Sequence, residues 1–333
     1  MVKIIAMRYF TLLLLIFILS FSVQAQFNIE KDPYLIHSLK NKSINRVNAR
    51  TSGGSIFIAG IQTGDVRLEV YVRPSGNTNS RINKEDLRKK LEQDYELTIS
   101  IVNQVLNVTA KPKNSLNWKK QLSISYKIFV PQNVSTDLST SGGSINLSGL
   151  KGSQEFVTSG GSLHIDKLNG EINGKTSGGS IHAENSTGMI DLSTSGGSLN
   201  LVGLQGTIKA LTSGGSINGS NVKGELITAT SGGSVNLSDL SCNLDASTSG
   251  GNMSIAIKEL GKYVKVSSAG GNIKLEIPGQ KGLNLKVDAQ RLKVGTLTDF
   301  KGHHDERSLD GTLNGGGIPV KVQGNSGVNV VFL

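Results

Sequence analysis

Thr140-Ser141-Gly142-Gly143-Ser144-Ile145-Asn146-Leu147 is answered, 18 residues on, by Thr158-Ser159-Gly160-Gly161-Ser162-Leu163-His164-Ile165. The opening pentapeptide returns at Thr176, Thr194, Thr212 and Thr230, each time after another 18 residues. A copy at Thr248 ends in Asn252, and a variant, Ser268-Ala269-Gly270-Gly271-Asn272, follows after 20. One outlying copy stands far upstream at Thr51. A fixed period of this length marks a repeat architecture, in which each unit buries its apolar face only against its neighbours.

Aligned on the threonine, the units separate into columns. Column six is apolar throughout (Ile145, Leu163, Ile181, Leu199, Ile217, Val235, Met253), and column eight is apolar except at Gly219. Column seven between them is polar: Asn146, His164, His182, Asn200, Asn218 and Asn236. That alternation is a strand with one buried face. Column eleven brings back Leu150, Leu168, Leu204, Val222 and Leu240, and column thirteen is glycine from Gly152 to Gly224, read here as a turn. Columns fifteen and seventeen point inward again, as in Ile190 and Leu192. Each unit is therefore two short strands and two turns. A helical unit is excluded, because each interior glycine would cost about 1 kcal/mol. The coherent solution is an all-β fold: a parallel β-solenoid of 18-residue, two-strand coils stacked about 4.8 Å apart. By parity with columns fifteen and seventeen, the threonines point inward.

Working outward, residues 1–25 read as a signal peptide. Lys3 and Arg8 precede the apolar run Thr11–Phe21, and Val23-Gln24-Ala25 supplies a cleavage pattern. Met7 serves as well as Met1 for its start. No other stretch approaches membrane-spanning length, so the expected mature chain is exported, to the periplasm or the cell surface, without a transmembrane segment. Residues 26–139 form an N-terminal β-rich module with a first coil at Thr51 and an insertion. The insertion carries strand-like segments and one helix, about 84–94, capped by Asn83 with Leu87, Leu91 and Tyr95 on its apolar face. Residues 140–290 are the solenoid repeats. Residues 291–333 are a charged loop (301–310), a worn coil and a last strand, together a capping end.

Net charge is +10, but it is unevenly spread: residues 26–139 carry 17 Lys+Arg against 10 Asp+Glu, and residues 140–333 carry 16 against 15. Near-neutral repeats with few aromatics give no nucleic-acid footprint. The single cysteine, Cys242, excludes an intrachain disulfide and falls in the glycine column, where a packed turn thiol is expected.

The run Ser125–Pro131, then Asn133–Leu138, then Thr140-Ser141-Gly142-Gly143-Ser144-Ile145, resembles the bacterial putative-adhesin family with Thr-Ser-Gly-Gly β-strand repeats, a domain family of unknown function. The likeness extends to Val66–Pro74, Leu87–Leu97 and Trp118-Lys119, and so covers nearly all of residues 26–333. It implies export and a β-solenoid, and it brings no catalytic or binding residues with it.

Catalytic constellations are missing from the repeats. There is no Asp or Glu column to supply paired acids for glycoside hydrolysis. The calcium-binding solenoid pattern needs an aspartate that this repeat lacks. His303-His304-Asp305-Glu306 reads as a polar loop rather than a metal centre, and no cofactor is implied. The expected function is non-enzymatic: an envelope or surface protein for adhesion or recognition of a protein or glycan, through the exposed polar ladder Asn146, His164, His182, Asn200, Asn218, Asn236. The alternatives are a periplasmic scaffold or self-associating element, and, more remotely, binding of ice or a crystal surface through the threonine ladder.

Overall fold

The computed structural model describes residues 32–75, 83–114 and 121–333. The signal peptide, Trp118 and Lys119 lie outside these. The described elements before the repeats are β1 (Leu35–Ser38), β2 (Arg46–Thr51), β3 (Ile56–Ile61), β4 (Arg67–Pro74), α1 (Lys84–Asp94), β5 (Tyr95–Val102), β6 (Val105–Pro112) and β7 (Leu122–Pro131). The repeats supply long and short strands in alternation: β8 (Ser135–Thr140), β9 (Ile145–Ser148), β10 (Lys151–Thr158), β11 (Leu163–Asp166), β12 (Asn169–Thr176), β13 (Ile181–Glu184), β14 (Thr187–Thr194), β15 (Leu199–Val202), β16 (Gln205–Thr212), β17 (Ile217–Ser220) and β18 (Lys223–Thr230). Then come β19 (Val235–Thr248), β20 (Met253–Ser268), β21 (Ile273–Ile277), β22 (Leu283–Val294), β23 (Phe300–His304), β24 (Ser308–Leu313) and β25 (Ile318–Phe332).

The repeats form a parallel β-solenoid. From β9 to β17 short strands pair with short strands, in a register that advances one coil per step: Ile145↔Leu163, Leu163↔Ile181, Ile181↔Leu199; β17 then pairs with the first residues of the longer β19. Long strands do the same, with Thr140↔Thr158, Thr158↔Thr176 and Thr176↔Thr194. Ile145, Leu163, Ile181, Leu199, Ile217 and Val235 are fully buried, as are Leu150, Leu204, Val222 and Leu240 at the corner. Column seventeen shows how the core is filled. Phe156 is fully buried, and its ring occupies space above Gly174, where a Cβ would come within 2.5 Å of it.

Backbone demands set the corners. The second glycine of each Gly-Gly pair lies directly over its predecessor: a Cβ on Gly161 would sit 2.0 Å from the Gly143 carbonyl oxygen, and one on Gly197 2.0 Å from that of Gly179. The first glycine is different, since a Cβ on Gly196 would meet nothing closer than 3.5 Å. The column-thirteen glycines are not a turn of their own; they sit at the start of the long strands with φ between +105° and +130°. The actual left-handed corner is column ten, where Gly149, Lys167, Asn185, Gly203, Asn221 and Asp239 all have φ between +50° and +67°. Cys242 is also corrected: it lies within β19, not in a turn, in the stretch Ser241–Thr248 that follows the corner at Asp239 and pairs with β18, where Cys242 faces Gly224.

Both ends of the array are laid down out of chain order. β2 pairs in parallel with β6 on one side and β8 on the other, and β3 sits likewise between β7 and β9. The coil that comes first in the sequence is thus enclosed between two later ones. β5 then adds antiparallel to β6, β4 to β7, and β1 to β4. α1 is capped by Asn83, whose side chain accepts from the Asp86 N–H at 2.8 Å, and it buries Leu91. At the other end the mirror arrangement holds. β25 pairs in parallel with β20 and β21 on one side and with β22 on the other. The strand expected to finish the array is instead inserted within it. The segment expected as a charged loop is an antiparallel hairpin, β23–β24, which adds to β22. β22 itself continues past residue 290 to Val294.

Candidate functional site

The polar column of the short strands becomes a continuous outward row. Asn236 Nδ2 donates to Asn218 Oδ1 at 3.1 Å, and Asn218 Nδ2 to Asn200 Oδ1 at 3.1 Å. Asn200 Nδ2 then meets His182 Nδ1 at 3.2 Å, which places the His182 proton on Nε2. The amide chain stops there. His182 stacks on His164, ring centroids 4.9 Å apart and planes 7° from parallel. Next in register comes Asn146, which was expected at the surface and is buried, 7% exposed. Exposure rises along the row: His164, His182 and Asn200 are half-buried, whereas Asn218 and Asn236 are exposed. Burial and the neighbouring His182 push the His164 imidazole below its ordinary pKa.

Register carries the row past the six residues legible in the repeats. Asn146 faces Phe57, which faces Lys127. At the opposite end Lys274, Asn329 and Lys293 are consecutive rungs. These positions were missed because their strands belong to coils out of sequence order. Around Phe57 an ionic group secures the first strands: Arg67 Nε meets Glu69 at 2.7 Å, Tyr71 donates to Glu69 at 2.7 Å, and the Arg67 guanidinium lies 4.0 Å from the Phe129 ring centroid. Burial opposes ionisation of Glu69, but the Tyr71 and Arg67 hydrogen bonds outweigh it and hold the carboxyl below its ordinary pKa. These groups are satisfied by one another, so they read as fastening rather than chemistry.

One further surface bears on function. A groove of about 720 Å³ runs along the other corner, walled by Ser195, Ser213, Ser231 and Ser249 with the threonines beneath. The threonines are buried; Thr158, Thr176 and Thr194 are 1–5% exposed. Each hydroxyl is used internally, as when Thr176 donates to the Gly161 carbonyl at 2.8 Å and accepts from the Gly179 N–H at 3.2 Å. They present no threonine face to ice or another crystal.

The remaining described titratable residues of note are held by local structure. Among the described residues no cluster of three or more His, Cys, Asp or Glu is placed to hold a metal ion. Asp305 is a turn former: it accepts from the Arg307 and Ser308 N–H groups, each at 2.7 Å, and pairs with His303 at 2.9 Å. Those bonds hold its carboxyl far below the ordinary carboxylate range. Cys242 is 2% exposed, and burial pushes its thiol up to about 12, so it stays protonated and unreactive at neutral pH.

The fold and this row define the class: a parallel β-solenoid presenting a long polar face. No family model matches the chain, and no curated protein sequence matches it. Among solved structures it is similar to a putative adhesin from Bacteroides fragilis, 14% identical with a TM-score of 0.31, covering 91% of this chain and 97% of that one. It is also similar to a putative cell adhesion protein from Clostridium sporogenes, 12% identical with a TM-score of 0.23, covering 89% of this chain and 97% of that one. No described helix is long and apolar enough to cross a membrane.

Proposed function

We propose that the protein is an exported, non-enzymatic recognition protein of the cell envelope or surface, and that it adheres to its partner through the outward row of the short strands. The carrying observation is the row itself. Side chains from successive coils stand in strict register, and the central amides are bonded to one another and so held in fixed orientation. Ordered amides and imidazoles at one-coil intervals offer repeated hydrogen-bonding positions to an extended glycan or peptide. Solenoid faces serve as binding surfaces in general, which is an argument from architecture and stays subordinate to the row.

The test is protease shaving of intact cells that carry a C-terminally tagged full-length chain. Digestion in intact cells supports surface recognition. Protection until the envelope is opened would overturn the surface role and turn the reading towards a periplasmic scaffold.

A further inference from the structure

The last rungs of the row differ in chemistry from its centre, and they are assembled from three separate segments. β21 contributes Lys274, β25 contributes Asn329, and β22 contributes Lys293, aligned in register. Two residues back along each strand, Arg291 faces Gly327, whose N–H donates to Asn272 Oδ1 at 3.0 Å. A Cβ at Gly327 would lie 2.8 Å from Asn272 Oδ1 and push that amide aside, so glycine here leaves the Asn272 contact undisturbed. The result is a glycine-floored groove of about 500 Å³ whose lining contains Lys274, Arg291 and Lys293 and no acidic side chain.

The three cations are not equally engaged. Lys274 pairs with Glu276 at 2.7 Å. Arg291 and Lys293 are exposed and form no ion pair among the described residues. Unpaired cations on the walls of a concave surface attract an anionic group. A guanidinium receives it through two parallel N–H donors, and an ammonium adds a point charge. The Asn329 amide, between the two lysines, is placed to bond hydroxyls.

We propose that this groove binds an acidic saccharide, with a carboxylate, sulfate or phosphate group held by Arg291 and Lys293 and neighbouring hydroxyls by Asn329. The inference rests on the reading of this face as a recognition surface and specifies its ligand class at one end. Because the groove exists only with β25 in place, an occupied groove also holds the C-terminal strand between its neighbours.

The test measures binding of polygalacturonate to the full-length protein, with dextran as the neutral comparison. The double variant Arg291→Gln/Lys293→Gln is compared with Lys175→Gln/Lys223→Gln, which removes equal charge from the long strands. The groove variant is expected to bind about tenfold or more weakly, since it loses both charge-assisted contacts to the anionic group. The comparison variant should stay within about twofold, as exposed charges elsewhere contribute little. Polymer should also raise the melting temperature of the wild-type chain and not that of the groove variant. Equal loss in both variants would overturn the site in favour of diffuse charge attraction. Absence of polygalacturonate binding at about 0.05 M salt, where such attraction is least screened, would overturn it outright. Either result leaves the shaving experiment, and the surface reading, to stand or fall separately.

Discussion

Thr194 Oγ1 donates to the carbonyl of Gly179 in the preceding coil at 2.8 Å, and the same oxygen accepts from the Gly197 N–H at 3.2 Å. The pattern repeats from Thr158 to Thr248, so one buried hydroxyl per coil joins two successive corners. This explains why threonine is repeated at a position that no partner can touch. Thr194→Val keeps the shape and leaves a buried carbonyl and a buried N–H without that partner, which costs about 1–3 kcal/mol. Thr194→Ser keeps both bonds and gives up one buried methyl, about 0.8 kcal/mol. Urea unfolding of the two variants should show the larger loss for valine. A loss for serine as large as that for valine would mean that the methyl matters as much as the hydroxyl and would refute this account of the repeated spacing of threonine.

The two glycines of each pair should respond oppositely to alanine. Gly197→Ala drives a Cβ to 2.0 Å from the Gly179 oxygen, which the stacked backbones cannot yield without breaking register. Overpacking of this kind costs about 1–3 kcal/mol or more. Gly196→Ala meets only ordinary contact at 3.5 Å, and its backbone is outside the left-handed region, so it should be neutral or stabilise by up to about 1 kcal/mol through the unfolded chain. Thermal melts of the pair would decide, and similar losses for both would refute the stacking explanation.

These contrasts show what the sequence could and could not reveal. Columns six, eight, fifteen and seventeen were readable because strand alternation is imposed on every coil by the same burial. The left-handed corner at column ten was also written in the chain, as Gly149, Asn185, Gly203, Asn221 and Asp239, residue types that tolerate positive φ. Lys167 in the same column masked it. The placement of β2–β3 and β25 inside the array was not legible, since coils of one period carry no label for stacking order. Phe57 and Lys127 therefore could not be aligned with Asn146, nor Lys293 with Lys274. The acidic-saccharide groove has no periodic signal at all, because it depends on Gly327 and Arg291 meeting across that unforeseen register.

Stability should fall as pH drops, and His164 is the group responsible. Its folded-state pKa is lowered, first by burial and then by His182. Above the unfolded histidine value of about 6.5 both states are neutral and the full stability is present. Below it the unfolded chain binds a proton that the folded chain resists, so stability declines from there towards the lower folded value. His164→Asn, which extends the amide row, should flatten the dependence of the urea midpoint between about pH 7.5 and 5. An unchanged slope would assign the effect elsewhere.

The inserted C-terminal strand makes the sharpest stability prediction. Val320, Val322, Val328 and Val330 are 0–2% exposed, and β25 satisfies the facing edges of β20–β21 and of β22 at once. In an ordinary solenoid, losing the last strand bares one edge and the stack frays by a single coil. Here, removal of residues 318–333 bares two facing parallel edges and the apolar side chains between them, leaving β22 and its β23–β24 hairpin attached only through the chain. The truncated protein should lose protection against protease from about residue 260 onward while the coils before it stay resistant, and it should aggregate through the unpaired edges. Limited proteolysis with fragments identified by mass gives the map. Adding a peptide of residues 318–333 should restore protection of β22, because the slot it fills is formed on both sides by strands that precede it. A truncated chain as resistant as the full one would show that the insertion contributes nothing to holding that end together.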